Sequence, residues 1–383
     1  MVAETTLGND FRSLSWCARL VKGETSGAAL RRQVAPWGTE RWLSSGRTSE
    51  NMATIQDVAR TAGVSPATVS RVLAGKAGVD ATLAARVRLA ASELRYRPSG
   101  IARSLRTRKS TVWGVIVSDI RNPFFTDLVR GVEDAAREMG YSIILTNTDE
   151  QAEKEKSYVE LFAGERMAGA IIVPASQSKT DVTILLDQGV PVVSVDREVE
   201  RCALDTVLSD NEGGAYQATT HLLDQGFRKI ACITGPTDHS TAIGRTAGYQ
   251  RAMAERLRDG AGLVRYADFK QAGGYVAAYG LLSGPIRPDA LFVANNEMTL
   301  GALEAIEQLG LVAPDDVGVV GFDDPPWASL LRPRLTAVSQ PSYDMGIAAA
   351  GMLASRIRGD DSPPRTVIMR TELHVRGSSL RLP

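Results

Sequence analysis

Gly63 lies between two helix-start signals, and their spacing leaves the surrounding stretch very few folds. Thr54 offers a capping hydroxyl that Asp57 answers three residues on, and Ser65 offers a second cap with Pro66 in the first turn behind it. Ile55, Val58, Ala59 and Ala62 form one apolar stripe, while Val64, Val69, Val72 and Leu73 form another, so two short helices hinged at the glycine can pack on each other. The pattern predicts a helix-turn-helix, with Pro66, Ala67, Thr68, Ser70 and Arg71 on its open face. A third helix is predicted from about Ala81 to Leu94, capped by Asp80 and burying Val87, Ala90, Ala91 and Leu94.

Charge indicates what such a module touches. Met52 to Ser110 holds eleven basic residues against three acidic ones, a net +8 on a chain whose formal net charge is +0. A small basic helical unit on a neutral protein is the electrostatic footprint of a nucleic-acid binder.

From Thr111 onward short aliphatic runs alternate with amphipathic stretches. The runs are Val112 to Val117, Ser142 to Leu145, Ala170 to Val173, Val190 to Val195, Lys229 to Ile233, Ala290 to Val293 and Val317 to Val320. Between them lie helical patterns at Phe125 to Met139, Glu153 to Glu165, Gly214 to Gln225, Arg245 to Arg256, Gly274 to Leu282 and Met298 to Leu309. Buried parallel strands joined by crossover helices follow, and the length suits two consecutive doubly wound lobes, whose ligands bind at the carboxyl ends of the strands.

Other features exclude whole classes. No apolar run approaches a membrane span. Cys17, Cys202 and Cys232 are odd in number and unpaired by spacing, which favours a reducing cytoplasm over a disulfide framework. With only His221, His239 and His374, and no Cys near them, no metal site is expected. There is no Gly-x-Ser-x-Gly elbow and no Walker-type loop, so neither catalytic residues nor a cofactor are assigned. Residues 1–51 show no sustained periodicity and read as a disordered extension. Met52 stands just before the first cap, which suggests a start assigned too far upstream.

The runs Thr54-Ile55-Gln56-Asp57-Val58-Ala59, Gly63-Val64-Ser65-Pro66-Ala67-Thr68-Val69-Ser70-Arg71-Val72-Leu73, Leu94-Arg95-Tyr96-Arg97-Pro98-Ser99 and Ala102-Arg103-Ser104-Leu105 resemble the headpiece of the lactose/galactose/purine repressor (LacI/GalR) family of bacterial transcription regulators. That resemblance implies that the second helix enters the major groove, with Pro66, Ala67 and Thr68 at base edges and Ser70, Arg71 and Lys76 near phosphates. Thr54 and Ser65 also belong to the implied DNA surface. One departure is Ala74, where family members often carry Asn. Pro98 to Arg106 resembles the family's hinge helix, so Ser99, Ala102 and Arg103 are assigned to DNA, Leu105 to a minor-groove wedge and Arg106 to a place beside it.

Later motifs carry the same resemblance: Ser118-Asp119-Ile120-Arg121-Asn122-Pro123-Phe124-Phe125, Val195-Asp196-Arg197, Gly244-Arg245-Thr246-Ala247-Gly248-Tyr249, Ala294-Asn295-Asn296-Glu297-Met298 and Gly321-Phe322-Asp323-Asp324. They are similar to the family's effector core, whose fold is that of periplasmic sugar-binding proteins. By that resemblance Arg245 and Asp323 form a polar clamp, Asn295, Asp196 and Gln340 reach hydroxyls, Phe124 and Phe269 cover a ring, and Asn122 and Arg197 complete the effector site. The family often has Asp at the position of Asn296, which here reads as a helix cap. Lobe crossings are implied near Ser209, Val338 and Thr366.

The division expected is 1–51 extension, 52–97 headpiece, 98–110 hinge helix and linker, and 111–383 two-lobed core. The implied protein is a cytoplasmic, nucleoid-associated homodimer that binds double-stranded operator DNA at an inverted repeat under control of a small effector, a sugar or related metabolite. The helix Phe125 to Met139 is a candidate for the dimer interface. Induction by a sugar is expected, with co-repression by a purine or other metabolite as the alternative. A pure solute-binding protein would not use the basic headpiece, and turnover of a ligand would favour an α/β enzyme. Leu105→Ala is expected to weaken operator binding and leave ligand affinity unchanged; equal operator affinity in a filter-binding titration would remove the wedge.

Overall fold

The computed structural model describes residues 53–75, 78–96, 110–257 and 262–381. It divides into two compact units, one ending at Pro98 and the other beginning at Ser99. Residues 1–51, Lys76, Ser99, Ala102, Arg103, Leu105 and Arg106 lie outside the described residues.

In the first unit, α1 (Ile55–Ala62), α2 (Pro66–Leu73) and α3 (Ala81–Glu93) begin at the caps the sequence supplies. The Asp57 amide donates to Thr54 Oγ1 at 3.3 Å and the Thr54 amide to the Asp57 carboxylate at 2.9 Å, a reciprocal capping box. Ser65 Oγ accepts from the Thr68 amide and Asp80 from the Leu83 amide, both at 3.1 Å. Helix α1 stops at Gly63, whose φ of 62° is the left-handed conformation that glycine adopts without penalty. Val58, Ala62, Val69, Val72 and Val87 close one small core, so the stripes do face each other.

In the second unit, β1 (Val112–Val117), α4 (Pro123–Glu138), β2 (Ser142–Asn147), α5 (Ala152–Gly164), β3 (Gly169–Ile172), α6 (Thr183–Asp187), β4 (Val192–Val195) and β5 (Asp205–Ser209) wind a first lobe. The chain then builds a second lobe from α7 (Asn211–Asp224), β6 (Ile230–Thr234), α8 (Ser240–Arg256), β7 (Leu263–Tyr266), α9 (Gln271–Leu282), β8 (Ala290–Val293), α10 (Asn296–Gln308), β9 (Gly318–Phe322) and β10 (Thr336–Ser339). Helix α11 (Ser342–Ile357) and β11 (Thr366–Met369) return to the first lobe, and β12 (Glu372–His374) ends in the second. The first sheet runs β11-β5-β4-β3-β1-β2 and the second β12-β10-β9-β8-β6-β7. Every pairing is parallel except β12 with β10. Helices cover both faces of each sheet, which is why the inner strands read as continuous apolar runs.

Two expectations need correction, the consecutive order of the lobes and the number of their elements. The lobes are interleaved, not consecutive. The crossings expected near Ser209, Val338 and Thr366 fall just after Ser209, at Gln340-Pro341 and at Arg370-Thr371, where β5, β10 and β11 complete their pairing. Strand β5, β7, β10, β11, β12 and helices α6 and α11 were not anticipated. Strands β7 and β11 are partly exposed and α11 is rich in Ala and Gly, so none carries a strong apolar signal. The candidate dimer helix packs its apolar side on α11, where Leu128, Val132, Met345 and Ala349 are buried in one cluster, and the expected dimer contact would use its outer face.

The α4–α11 crossing depends on two glycines. A Cβ at Gly131 would collide with the carbonyl oxygen of Tyr343, and one at Gly346 with that of Leu128. Gly351, also on α11, has open space and ordinary φ. Gly131→Ala should therefore cost about 2 kcal/mol by overpacking, whereas Gly351→Ala should stabilise by up to about 1 kcal/mol through helix propensity. Urea unfolding of the two variants tests this; the same sign for both would contradict the packing.

Candidate functional site

Strand direction puts chemistry in one place. Parallel strands of each lobe end at the cleft, so the residues just past β1, β4, β8, β9 and β10 meet there: Asn122, Asp196, Asn295, Asp323 and Gln340. They line one pocket together with Phe124, Arg197, Arg245 and Phe269. All nine residues assigned from sequence to the effector site are thus brought together.

Backbone strain sets several of them. Asp196, Phe269 and Asp323 adopt φ of 69°, 61° and 72°, a region that costs a bulky residue free energy and is tolerated where the surroundings hold it. Phe269 lies over Gly235, where any Cβ would meet its ring. Arg245 comes from α8 with its guanidinium 3.9 Å from the centroid of Phe322. Its Nε donates to Asn211 Oδ1 at 2.8 Å and Nη1 to the Ala294 carbonyl at 2.6 Å. Only Nη2 is left without a protein acceptor among the described residues.

The acceptors are less occupied. Asp196 is buried and its nearest cation is Arg197 Nε at 3.5 Å. Asp323 accepts from Gln340 Nε2 at 2.5 Å and from the Asn296 amide at 3.3 Å, and Gln340 Oε1 is buried without a partner. Burial pushes the Asp196 carboxyl up to about 6, against the nearby charges of Arg197 and Arg245. Burial likewise lowers Arg245, with Asp323 and Asp196 opposing the shift.

Other assignments change role. Arg197 is engaged in a buried bidentate pair with Glu150, at 2.6 and 2.8 Å, and also donates to the Pro174 carbonyl at 2.9 Å. Burial works against the Glu150 charge, yet Arg197 holds that carboxyl down at about 2. Asn295, expected to reach hydroxyls, is the cap of α10: its Oδ1 accepts from the Met298 amide at 2.8 Å and its Nδ2 donates to the Phe269 carbonyl at 3.0 Å. Asn296, expected to be the cap, instead donates across the cleft to Asn122 Oδ1 at 3.0 Å. The two adjacent asparagines exchange roles because the strand end delivers Asn295, not Asn296, with the extended backbone that a cap requires. Arg245 and Asp323, the expected clamp, line the same pocket with no ion pair between them.

Sequence reasoning missed Asp119, Phe125, Glu150, Thr241, Lys270 and Glu297, which also line the cavity. Lys270 Nζ reaches from the second lobe to Asp119 Oδ2 at 2.6 Å, and Arg121 holds the same carboxylate at 2.8 Å. Burial opposes the Asp119 charge, but these hydrogen bonds keep its carboxyl well below the usual range. A second seam joins Ser176 Oγ to Asp238 Oδ2 at 2.6 Å and the Glu198 amide to Ser240 Oγ at 3.2 Å. Asp119 stood in a motif already recognised; Glu150 and Lys270 stood in none.

On the headpiece, Pro66, Ala67 and Arg71 are exposed, while Thr68 and Ser70 are half-buried. Thr54 and Ser65 are exposed but spend their hydroxyls locally, on Asp57 and Thr68 respectively.

The raised Asp196 pKa has a definite sign. A buried carboxyl that prefers its proton favours the folded state below its ordinary value of 3.8, and this advantage is lost as pH rises through about 6. Asp196→Asn should therefore stabilise the ligand-free core at pH 7.5 by about 1–2 kcal/mol and by much less at pH 4. Chemical denaturation at the two pH values checks this; a variant less stable than wild type at pH 7.5 would contradict it.

Comparison with known proteins locates this architecture. Residues 54–99 match the family described as bacterial regulatory proteins, lacI family, and residues 219–379 match the periplasmic binding protein-like domain. The HTH-type transcriptional repressor PurR of Vibrio campbellii is 36% identical over 86% of this chain and 100% of its own length. The ribose operon repressor of Escherichia coli K12 is 35% identical over 86% and 100%. The solved lac repressor dimer bound to operator and the anti-inducer ONPF superposes with a TM-score of 0.77 at 26% identity, covering 86% of this chain and 99% of that one. With the capped helix-turn-helix and the interleaved two-lobed core, this identifies the chain as a member of the lacI family of bacterial regulatory proteins.

Proposed function

We propose that this protein is a sequence-specific transcriptional repressor that binds an inverted-repeat operator as a homodimer, with operator affinity set by a small polyhydroxylated ligand, a sugar or related metabolite. The observation that carries the reading is that residues of both lobes line one cavity and bond across it, Lys270 with Asp119 and Asn296 with Asn122. A ligand held there touches both lobes, so it favours whichever relative arrangement binds it better.

On the DNA side, Pro66, Ala67 and Thr68 meet base edges. Thr54, Ser65, Ser70, Arg71 and Lys76 supply the surrounding backbone contacts. Pro66 and Ala67 offer apolar contact to thymine methyls, since neither makes a bidentate hydrogen bond. Ser99, Ala102, Arg103, Leu105 and Arg106 form the hinge contacts, with Leu105 as the wedge. The relative named ribose operon repressor and the solved repressor dimer on its operator support both halves of this reading. Its activity is binding without turnover, and its place of work is the bacterial cytoplasm, at the nucleoid.

Selection of DNA from a random library by the 52–383 protein should enrich one inverted repeat. Affinity for that site should fall steeply with salt as counterions are released. Arg71→Ala should lower affinity across all sequences and reduce the salt slope by about one, whereas Thr68→Ala should relax the preference at one position in each half-site. Titration with sugars and nucleobases reads the effector and its sign together. Enrichment of no sequence, with or without these compounds, would contradict the proposal.

A further inference from the structure

Asp238, His239 and Ser240 stand at the start of α8, and none of them lines the cavity. They belong to the second lobe, yet each meets the first. Ser176 Oγ, past β3, donates to Asp238 Oδ2 at 2.6 Å, and the Gln177 amide donates to the Asp238 carbonyl at 3.2 Å. The Glu198 amide, past β4, donates to Ser240 Oγ at 3.2 Å. His239 Nε2 comes within 3.5 Å of Glu150 Oε2, past β2. One short segment thus meets the loops that follow three strands of the opposite lobe.

These contacts are not spent on the helix itself. Helix α8 starts without a side-chain cap, so neither Asp238 nor Ser240 holds its first turn together. Ser176 Oγ is oriented from its own lobe by accepting the Lys179 amide at 3.0 Å, which leaves its proton for Asp238. At the same seam Asp238 Oδ1, Gln177 Oε1 and His239 Nδ1 are buried with no partner among the described residues. Buried polar groups left unpaired cost free energy that water returns when the seam opens. Few bonds stand against that cost, so the loss of one shifts the balance between lobe arrangements. Arg245, on the same helix, lines the cavity, so a ligand on Arg245 and the seam at the helix start move as one body.

We propose that Asp238-His239-Ser240 is an interlobe clasp: it sets how readily the lobes part, and so how firmly a ligand on Arg245 is held, without touching that ligand. Asp238 and Ser240 are its positioning residues. The clasp acts whatever the cavity takes, while its consequence for operator DNA rests on the regulator reading above.

Hydrogen exchange of the full chain, read at single amides with no ligand added, tests this. The Glu198 amide is the reporter, because its bond to Ser240 involves neither Ser176 nor Asp238. The Val173 amide, bonded to the Ile116 carbonyl at 2.9 Å inside the first lobe, is the control. Asp238→Ala and Ser176→Ala should each speed Glu198 exchange by about 3- to 10-fold and leave Val173 unchanged. The double variant should exchange no faster than the faster single one, since both substitutions remove the same bond. Asp238→Asn keeps an oxygen for Ser176 to donate to and should keep the wild-type rate. Wild-type exchange at Glu198 in Asp238→Ala, additive effects in the double variant, or Asp238→Asn as fast as Asp238→Ala would overturn the clasp. Acceleration of Val173 in step with Glu198 would overturn it too, because the seam would then be an ordinary part of the fold. An operator enriched by selection beside an unmoved Glu198 leaves the regulator reading standing and removes the clasp alone.

Discussion

Burying charge at the mouths of two parallel sheets is the constraint on which the rest of the core depends. Parallel strands deliver polar residues to their carboxyl ends, and here two such ends face one another. Carboxylates and guanidinium groups taken out of water must find partners or pay heavily in desolvation. Glu150 pairs with Arg197 of its own lobe, and Asp119 pairs with Arg121 of its own lobe and with Lys270 of the opposite one. The pairing of Asp119 therefore ties the local electrostatics of one lobe to the position of the other. Asp196 has only the Arg197 Nε at 3.5 Å and accepts no hydrogen bond from another side chain among the described residues, and burial pushes its carboxyl up. A site with one carboxyl left wanting donors is a site prepared for a ligand that supplies them.

The chain path between the lobes is interleaved. Three crossings, after Ser209, at Gln340-Pro341 and at Arg370-Thr371, run side by side between lobes that otherwise touch through polar bonds. Such bonds break and re-form at modest net cost, because water replaces the lost partner. Inside each lobe the packing is of another kind. Buried apolar clusters fill both faces of each sheet, and the glycine contacts between α4 and α11 leave no slack. Rigid lobes joined by three short crossings and a polar seam favour movement of one lobe as a body against the other, and Gln340 sits at once in a crossing and in the cavity.

Much of this was legible from residues alone, for reasons that can be stated. Caps at Thr54, Ser65 and Asp80 act within three residues, so they place helices α1, α2 and α3 to the residue. Strands β1 and β8 are flanked by a strand on each side and are apolar throughout, so their limits are plain. Edge strand β7 has polar and exposed positions and went unseen. The family resemblance brought nine residues to one cavity, but it did not settle which of them remain free for a ligand. Arg197 is spent on Glu150, which lies 47 residues away in the chain, and no local pattern announces a pair at that distance. Asn295 and Asn296 show the finer limit: one residue of register at a strand end decides which asparagine caps a helix and which bridges the cleft.

On the proposed reading, ligand and operator act on one equilibrium between lobe arrangements, and linkage then demands reciprocity. The most direct test is to measure effector affinity with the dimer free and with the dimer held on its selected operator, beside operator affinity with and without effector. The account predicts the same factor in both comparisons, of order 5- to 150-fold as is usual for such coupling. Effector affinity that is identical on and off the operator would contradict it, and would reduce the cavity to a binding site with no hold on the DNA.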